Sequence, residues 1–344
     1  LALGSVIILA VGGNVMKTYW IIISSPFQNY RTVCEVLIRA IPLIIIALGV
    51  SVAYRSGIIN IGAEGQMAMG IIAATSMAFA VGNAPKVIAL PLCILAGMAA
   101  GAAWGFIPGF LKAKLDVSEL LSTVMLNYVA AQFYSFCLRV PLMDPAEIAG
   151  GGTGTAMSAK LPGNTILTKL IRGTVLHQGI WIALVLAVII YFLMWKTSVG
   201  YKMRASGASE RAARYGGINV ALFLVVSMAI SGGFAGIAGA VEVMGTHGRA
   251  LEGITSGYGF SGIVVALFGG LHPAGIIPAA LLFGILLYSQ VSLQLFTNVP
   301  PNLVTALQGV IILVIVAVKM IIDNPYMIEK FRKRFFSSKK EVTA

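Results

Sequence analysis

Residues Ile180–Trp195 read IWIALVLAVIIYFLMW, sixteen residues without a charge, and residues 196–220 that follow read KTSVGYKMRASGASERAARYGGINV. The first run reads as a helix in hydrocarbon. A bilayer-spanning helix needs about 20 mostly apolar residues, and its backbone polar groups must bond to one another where water is absent. The second run is polar and basic, and it sits between apolar stretches. A short charged helix exposed by an otherwise oily chain offers a handle to a soluble partner.

Working outward, the same alternation governs the whole chain. Hydrophobic residues make up 58% of the 344 and charged residues 10%, against about 25% charged in soluble domains. The reading is an all-α, polytopic membrane protein. A β-barrel does not fit, because the apolar runs are continuous rather than alternating. About ten membrane elements are expected. The chain begins at Leu1 rather than Met, so Leu1–Gly12 reads as the surviving end of a first membrane helix and not as a signal peptide. A polar loop to Glu35 leads to Val36–Ala53, Ala63–Val81, Val87–Ile107 and Glu119–Leu138. A long loop, Arg139–Gly179, holds GGGTGT and is expected to form one short surface helix near Ile166–Arg172. Ile180–Trp195, Ala221–Val243, the short Gly259–Gly269, Ala274–Val291 and Val304–Ile322 complete the set. Residues 1–322 thus read as one transmembrane domain, and Asp323–Ala344 as a basic tail. The 39 glycines read as scattered, without a fixed short period, and as small residues that let helices approach closely.

Charge sets the orientation. Cytoplasmic loops carry the Lys and Arg excess. With residues 196–220 and the tail inside, fifteen of the 24 Lys and Arg lie inside, which puts the loop 139–179 outside. The net charge of +12 does not read as a nucleic-acid surface, because it is confined to loops and the tail. Two glycine-rich polar stretches, Ser56–Gln66 and Glu252–Ser261, then fall on opposite sides before short apolar runs. An inverted-topology duplication of helices 2–5 and 7–10 would give that pattern. Such loops also recur in any polytopic protein, and both readings stand.

Several segments carry chemistry. In SGIINIGAEGQ (56–66), Asn60 is placed to cap a helix starting at Ile61, and Glu64 falls in its first turn. A lipid-facing carboxylate at mid-bilayer costs about 2.5–3.5 kcal/mol, and the helix dipole returns about 1 kcal/mol at most in ordinary settings. Glu64 therefore faces protein, water or the interface. It either lines a pathway or locks two helices together. Thr123 and Asn127 lie four apart on one helix face. An intramembrane Asn is either interhelical glue or a solute contact. In the basic island, Ser209 caps a helix Glu210–Tyr215 containing Arg211, Ala212, Ala213 and Arg214, and Gly216 ends it. Ala208, Ala212 and Tyr215 are expected to share one face. One and a half turns are not stable alone, so this helix needs a groove, or else it is a solvated loop near anionic lipid. The stretch 245–262 brings His247, Arg249, Glu252, Tyr258 and Phe260 to an outer vestibule suited to a polar or ring-shaped solute; anchoring of aromatics at the interface is the plainer reading.

Absences narrow the field. No GxxxxGK[ST] phosphate loop occurs, so ATP-driven transport would need a separate ATPase subunit, with ATP-Mg bound there and no cofactor in this chain. No HExxH joins His177, His247 and His272, which read as structural, and Cys34, Cys93 and Cys137 form no CxxC. Glu242 is an isolated carboxylate.

SGIINIGAEGQ (56–66), ELLSTVMLNYVA (119–130), GYKMRASGASERAARYGGINV (200–220) and SGYGFSGIVVALFGG (256–270) resemble the permease subunits of ABC importers, in the branch serving simple sugars and nucleosides, and most of all nucleoside permeases. Ala208 stands where that family commonly has Asn. The resemblance implies a bacterial cytoplasmic (inner) membrane location. It also implies a second, paralogous permease subunit, two ATPase subunits and an extracellular or periplasmic solute-binding protein. Ser209–Tyr215 would be the coupling helix on the ATPase. Asn60, Glu64, Gln66, Asn127, Tyr258 and Phe260 are the candidate pathway residues. An ion-coupled transporter, a membrane enzyme, and a sugar or branched-chain amino-acid permease are the competing readings.

Overall fold

The computed structural model describes residues 14–148 and 156–296, together with Ser5 and Gly309. The GGGTGT stretch, the basic tail, and all of Leu1–Gly12 and Val304–Ile322 apart from those two residues lie outside the described residues. The described regular structure is helical, with isolated β-bridges in the long loop. Residues 1–25 with 289–344 form one unit and residues 26–288 another. In the first, α1 (Val15–Ser24) is capped by the Asn14 side chain, which accepts from the Lys17 N–H, and the Ser289 hydroxyl donates to the Ile22 carbonyl at 3.0 Å.

The second unit contains α2 (Tyr30–Arg55), α3 (Ala63–Ala80), α4 (Lys86–Leu115), α5 (Glu119–Arg139), α6 (Pro145–Ile148), α7 (Gly179–Lys196), α8 (Ser198–Ala208), α9 (Glu210–Tyr215), α10 (Val220–Glu242), α11 (Tyr258–Phe268) and the start of α12 (Pro273–Phe296). Among the described residues, five helices are long and apolar enough to cross a membrane: α2, α4, α7, α10 with its π-helical extension to His247, and α12. Two of them show how apolar sequence sorts by burial. In α2 the run from Ala40 to Ala53 is buried all round, so this helix is the centre of the unit. In α7 a stripe of Ala183, Ala187, Ile190 and Met194 is buried, and Trp181, Val185, Val188 and Phe192 on the other face are exposed. Those exposed side chains suit lipid.

The glycines are not scattered. Gly97, Gly101, Gly105 and Gly109 recur every fourth residue along α4 and face Met228, Gly232, Gly236 and Ala240 on α10. A β-carbon on Gly97 would lie 2.9 Å from that of Ala240, and one on Gly105 would lie 2.7 Å from the Met228 carbonyl oxygen. One on Gly101 would run into the Gly232 carbonyl, and one on Gly70 of α3 into the Gly236 backbone. Three helices thus meet backbone to backbone, and α4 with α10 is the most extensive contact in the unit. Small residues at a four-residue spacing permit that approach between membrane helices.

Two sequence expectations fail here. The polar loop to Glu35 is largely helix: α1 occupies part of it, and α2 starts at Tyr30, where Asn29 and Thr32 form a reciprocal capping box. The surface helix near Ile166–Arg172 is absent. Only a 3₁₀ turn, Gly163–Thr165, precedes that stretch. Its backbone bonds elsewhere, from Leu167 N–H to the Met244 carbonyl at 3.0 Å and from Leu170 N–H to the Leu176 carbonyl at 2.8 Å.

Candidate functional site

The segment 56–62 carries the chain from the end of α2 to the start of α3. Asn60 is completely buried and anchors it. Its amide nitrogen donates to Gln66 Oε1 at 2.7 Å and to Ser231 Oγ at 2.8 Å. Its Oδ1 accepts from the Gly62 N–H at 2.9 Å and from Gln66 Nε2 at 3.1 Å. The cap forms through Gly62, as the sequence suggests, but the helix starts at Ala63 rather than Ile61, with Gly62 as its capping residue. Asn127 on α5 holds the same joint from the other side. It accepts from the Gly65 N–H at 2.9 Å and donates to the Ile61 carbonyl at 2.9 Å. Both ends of its amide are therefore engaged by backbone.

Glu64, in the first turn of α3, reaches the first turn of α11. It accepts from the Gly257 N–H at 3.0 Å and from the Gly259 N–H at 2.7 Å. Backbone N–H groups at a helix start have no partner within the helix and carry the positive end of its dipole. The carboxylate thus closes α11, and the N-termini of the two helices meet around it. Gly259 is needed for this approach, since a β-carbon there would run into the Glu64 backbone.

Beside this junction is a cavity of about 630 Å³, lined by Glu64, Asn127, Gln132, Ser135, Arg139 and Glu252 among others. That volume is in the range of small-molecule sites. Asn127, Ala131, Ser135 and Arg139 form its α5 wall at four-residue spacing. Arg139 pairs with Glu252 at 3.2 Å, and the Ser135 hydroxyl donates to the same carboxylate at 3.1 Å. Tyr134 OH donates to the Leu251 carbonyl at 2.7 Å. Residues 156–161 bind the stretch 248–252, with the Ser158 N–H on the Ala250 carbonyl and the Leu161 N–H on that of Gly248, both at 2.9 Å.

Of the six candidate pathway residues, Glu64 and Asn127 line the cavity. Asn60 and Gln66 lie in the neighbouring buried network, Tyr258 is buried, and Phe260 is about half exposed. Ser231, Gln132, Ser135 and Arg139 belong with them and were not singled out from sequence. Extending the Thr123–Asn127 face by further turns finds Ser135 and Arg139. Glu242 is not isolated. It is buried, and its carboxylate lies 3.4 Å from His247 Nε2, which the π-helical turn Val243–His247 brings back beside it. Among the described residues, no three His, Cys, Asp or Glu are grouped to hold a metal.

The basic island folds as α8 and α9. The Ser209 hydroxyl oxygen accepts from the Ala212 N–H at 3.4 Å, Gly216 ends α9, and Arg214 pairs with Glu210 at 2.6 Å. The residues expected on one face are all exposed. Ala213 is the buried residue of α9, and Ala208, Ala212 and Tyr215 are exposed, Tyr215 at 94%. A helix this short turns inward only the residue over its neighbours α8 and α10, and Ala213 occupies that position.

Residues 32–316 match the family described as branched-chain amino acid transport system / permease component. The chain belongs to that family. It is similar to the guanosine ABC transporter permease protein NupP of Bacillus subtilis, 37% identical over 91% of this chain and 89% of that protein. It is also similar to the nucleoside ABC transporter permease protein NupB of Lactococcus lactis, 34% identical over 93% and 88%. The glucose ABC transporter permease protein TsgB13 of Haloferax volcanii is 31% identical over 92% and 84%. No solved structure matches the chain. The permease is thus a multi-pass membrane component of a transport system.

Proposed function

We propose that this permease is the membrane subunit of an ATP-driven ABC importer for nucleosides. It works by alternating access beside a second, paralogous permease in the bacterial inner membrane. The observation that carries this reading is the similarity along nearly the whole chain to permeases named for guanosine and for nucleosides. ATP-Mg binds in a separate ATPase subunit, and a solute-binding protein delivers solute from outside. The similarity to a glucose permease favours a simple sugar as the second reading.

The proposed topology keeps about ten membrane elements in residues 1–322, with the loop 139–179 outside and residues 196–220 and the tail 323–344 inside. An inverted repeat of residues 36–138 and 221–322, the second to fifth and seventh to tenth expected membrane elements, is supported by the meeting of α3 and α11 at their N-termini. With 11 residues, α11 is about 16.5 Å long at 1.5 Å per residue, roughly half the thickness of the hydrocarbon core. Half-helices whose N-termini meet near the midplane are a feature of transporters built from inverted repeats. The cavity is the proposed solute station. Glu64 and Asn127 form its inner wall, and Gln132, Ser135 and the Arg139–Glu252 pair supply polar contacts. Asn60 and Gln66 hold the wall in place, and Tyr258 and Phe260 lie along the same half-helix. Ser209–Tyr215 is the proposed ATPase contact. Tyr215, almost wholly exposed at the tip of a capped helix, suits insertion into a partner groove.

Replacing Arg211 and Arg214 together by Glu tests the coupling assignment. Uptake and co-purification of the ATPase should both fall. Unchanged uptake with full assembly removes the assignment. Competition of labelled guanosine uptake by unlabelled guanosine, but not by glucose, separates the two solute classes.

A further inference from the structure

Among the described residues, Arg55, at the end of α2, pairs with no carboxylate. Its guanidinium instead donates to the carbonyls of the turn that ends α11, from Nε to Leu271 at 2.7 Å and from Nη2 to Gly270 at 3.3 Å. The turn lies at the C-terminal, negative end of the α11 dipole, which attracts a cation. The turn is strained: Leu271 has φ +56°, in the left-handed region that favours glycine, and Gly270 has φ +65°. Holding a non-glycine residue there requires outside support, and Arg55 is the side chain that bonds its carbonyl.

The same arginine is held from one further direction, by an aromatic ring that it shares with a second, like-charged arginine. Its guanidinium lies 4.7 Å from the Trp195 ring centroid, at the end of α7, and Arg204 of α8 lies 5.9 Å from that ring. Trp195 in turn meets His272, directly after the strained turn, edge-on at 4.7 Å. Backbone also touches backbone at this level. A β-carbon on Gly57 would lie 2.9 Å from Gly207 Cα, and one on Gly207 would lie 2.7 Å from the Gly57 nitrogen. No side chain intervenes between the end of α8 and the turn after α2. A continuous series of contacts thus runs from α9 to α8, across the Gly57–Gly207 approach, and through Arg55 to the turn that ends α11. The N-terminus of α11 is the end that Glu64 closes beside the cavity.

We infer that Arg55 is a positioning residue for transport. It fastens the half-helix α11 to the segment that receives the ATPase stroke, so that α8 and α9 and the wall of the cavity move together. This rests on the importer reading above. Coupling between distant sites through packed contacts has to be demonstrated by a measurement of coupling itself.

The test uses the whole transporter, with both permeases, ATPase and binding protein, in proteoliposomes with labelled guanosine. Assembled ATPase, ATP hydrolysis and guanosine accumulated per ATP are measured for wild type, Arg55→Ala and Arg55→Lys. The expected result is a loss of at least fivefold in guanosine per ATP for Arg55→Ala, with assembled ATPase and hydrolysis within twofold of wild type. Arg55→Lys keeps one charged donor and should fall between. Trp195→Ala, which removes the ring but leaves both carbonyl bonds, should lower the ratio less than Arg55→Ala. A ratio within twofold of wild type for Arg55→Ala, or uptake falling only in proportion to assembled complex, overturns the inference. A different outcome, guanosine uptake by wild type without hydrolysable ATP, overturns the importer reading, and the inference with it.

Discussion

Glu64→Gln is the most informative single change at the helix junction. The carboxylate accepts from two backbone N–H groups at the start of α11, at 3.0 and 2.7 Å. A glutamine keeps one carbonyl oxygen and turns its NH₂ group, a donor, towards the other N–H. One charge-assisted bond is lost, worth about 1.5–3 kcal/mol. The favourable interaction of the negative charge with the helix start, about 0.3–1 kcal/mol, is lost with it. The sum is about 2–4 kcal/mol, or a shift of roughly 30- to 700-fold at 1.4 kcal/mol per tenfold. Hydrogen exchange at the Gly257 and Gly259 amides of the detergent-purified protein reads this locally, and melting temperature reads it globally. Exchange there should rise by at least tenfold and melting should fall by several degrees. Glu64→Ala, which removes both acceptors and leaves two N–H groups at the start of α11 unmet, should destabilise more than Glu64→Gln. Wild-type exchange and melting in Glu64→Gln would refute the account of Glu64 as the closing group of α11.

Asn127→Leu strands the Ile61 carbonyl and the Gly65 N–H. At the low end of about 1–3 kcal/mol per unmet group, since the cavity admits water, the loss is about 2 kcal/mol; yield and melting temperature should fall, and normal yield with abolished uptake would instead favour direct solute contact. Gly101→Ala should destabilise by about 1–3 kcal/mol through overpacking, whereas Gly163→Ala, with no atom within 4 Å of the added carbon, should not; equal melting of the two contradicts the backbone contact described. His177 lies in the loop before α7, and burial pushes its imidazole down to about 4. Its Nδ1 accepts from the Gly179 N–H at 3.1 Å, which only the unprotonated nitrogen can do. The unfolded chain takes up this proton near pH 6.5 and the folded chain only near 4, so stability is full above 6.5 and declines as pH falls through that window. The interval from 6.5 to about 4 corresponds to about 3 kcal/mol at 1.36 kcal/mol per pH unit. Melting of wild type between pH 7 and 4 should therefore drop more steeply than that of His177→Asn, and parallel curves would contradict this assignment.

The sequence was most informative where a property is local. Apolar runs located the long helices, and the spacing of Ser209, Glu210 and Gly216 located α9, because capping and hydrophobic periodicity act within a few residues. Ile166–Arg172 looked helical for the same local reasons, but its backbone bonds go to Met244 and Leu176, partners that no local pattern reveals. Asn60, Glu64 and Asn127 stood out as polar groups in apolar surroundings. What they bond to did not, since Ser231 lies 171 residues from Asn60, Gly257 and Gly259 lie 193 and 195 from Glu64, and Ile61 and Gly65 lie 66 and 62 from Asn127. Arg55 gave no signal at all, because its acceptors are backbone carbonyls, which are the same for every residue type. The four-residue recurrence of Gly97, Gly101, Gly105 and Gly109 was readable but hidden among 39 glycines.

That recurrence fixes where the protein cannot bend. Two rods in contact along their spines have no side chains to re-rotamerise, so α4 cannot shear past α10 by less than a full pitch of about 5.4 Å without driving Met228 or Ala240 into bare backbone. The pair is a spar, and any rocking that opens the cavity first to one side and then to the other must be hinged off it, on the flank where α5 is fastened by the Asn127 amide, the Tyr134–Leu251 bond and the clasp of Ser135 and Arg139 on Glu252.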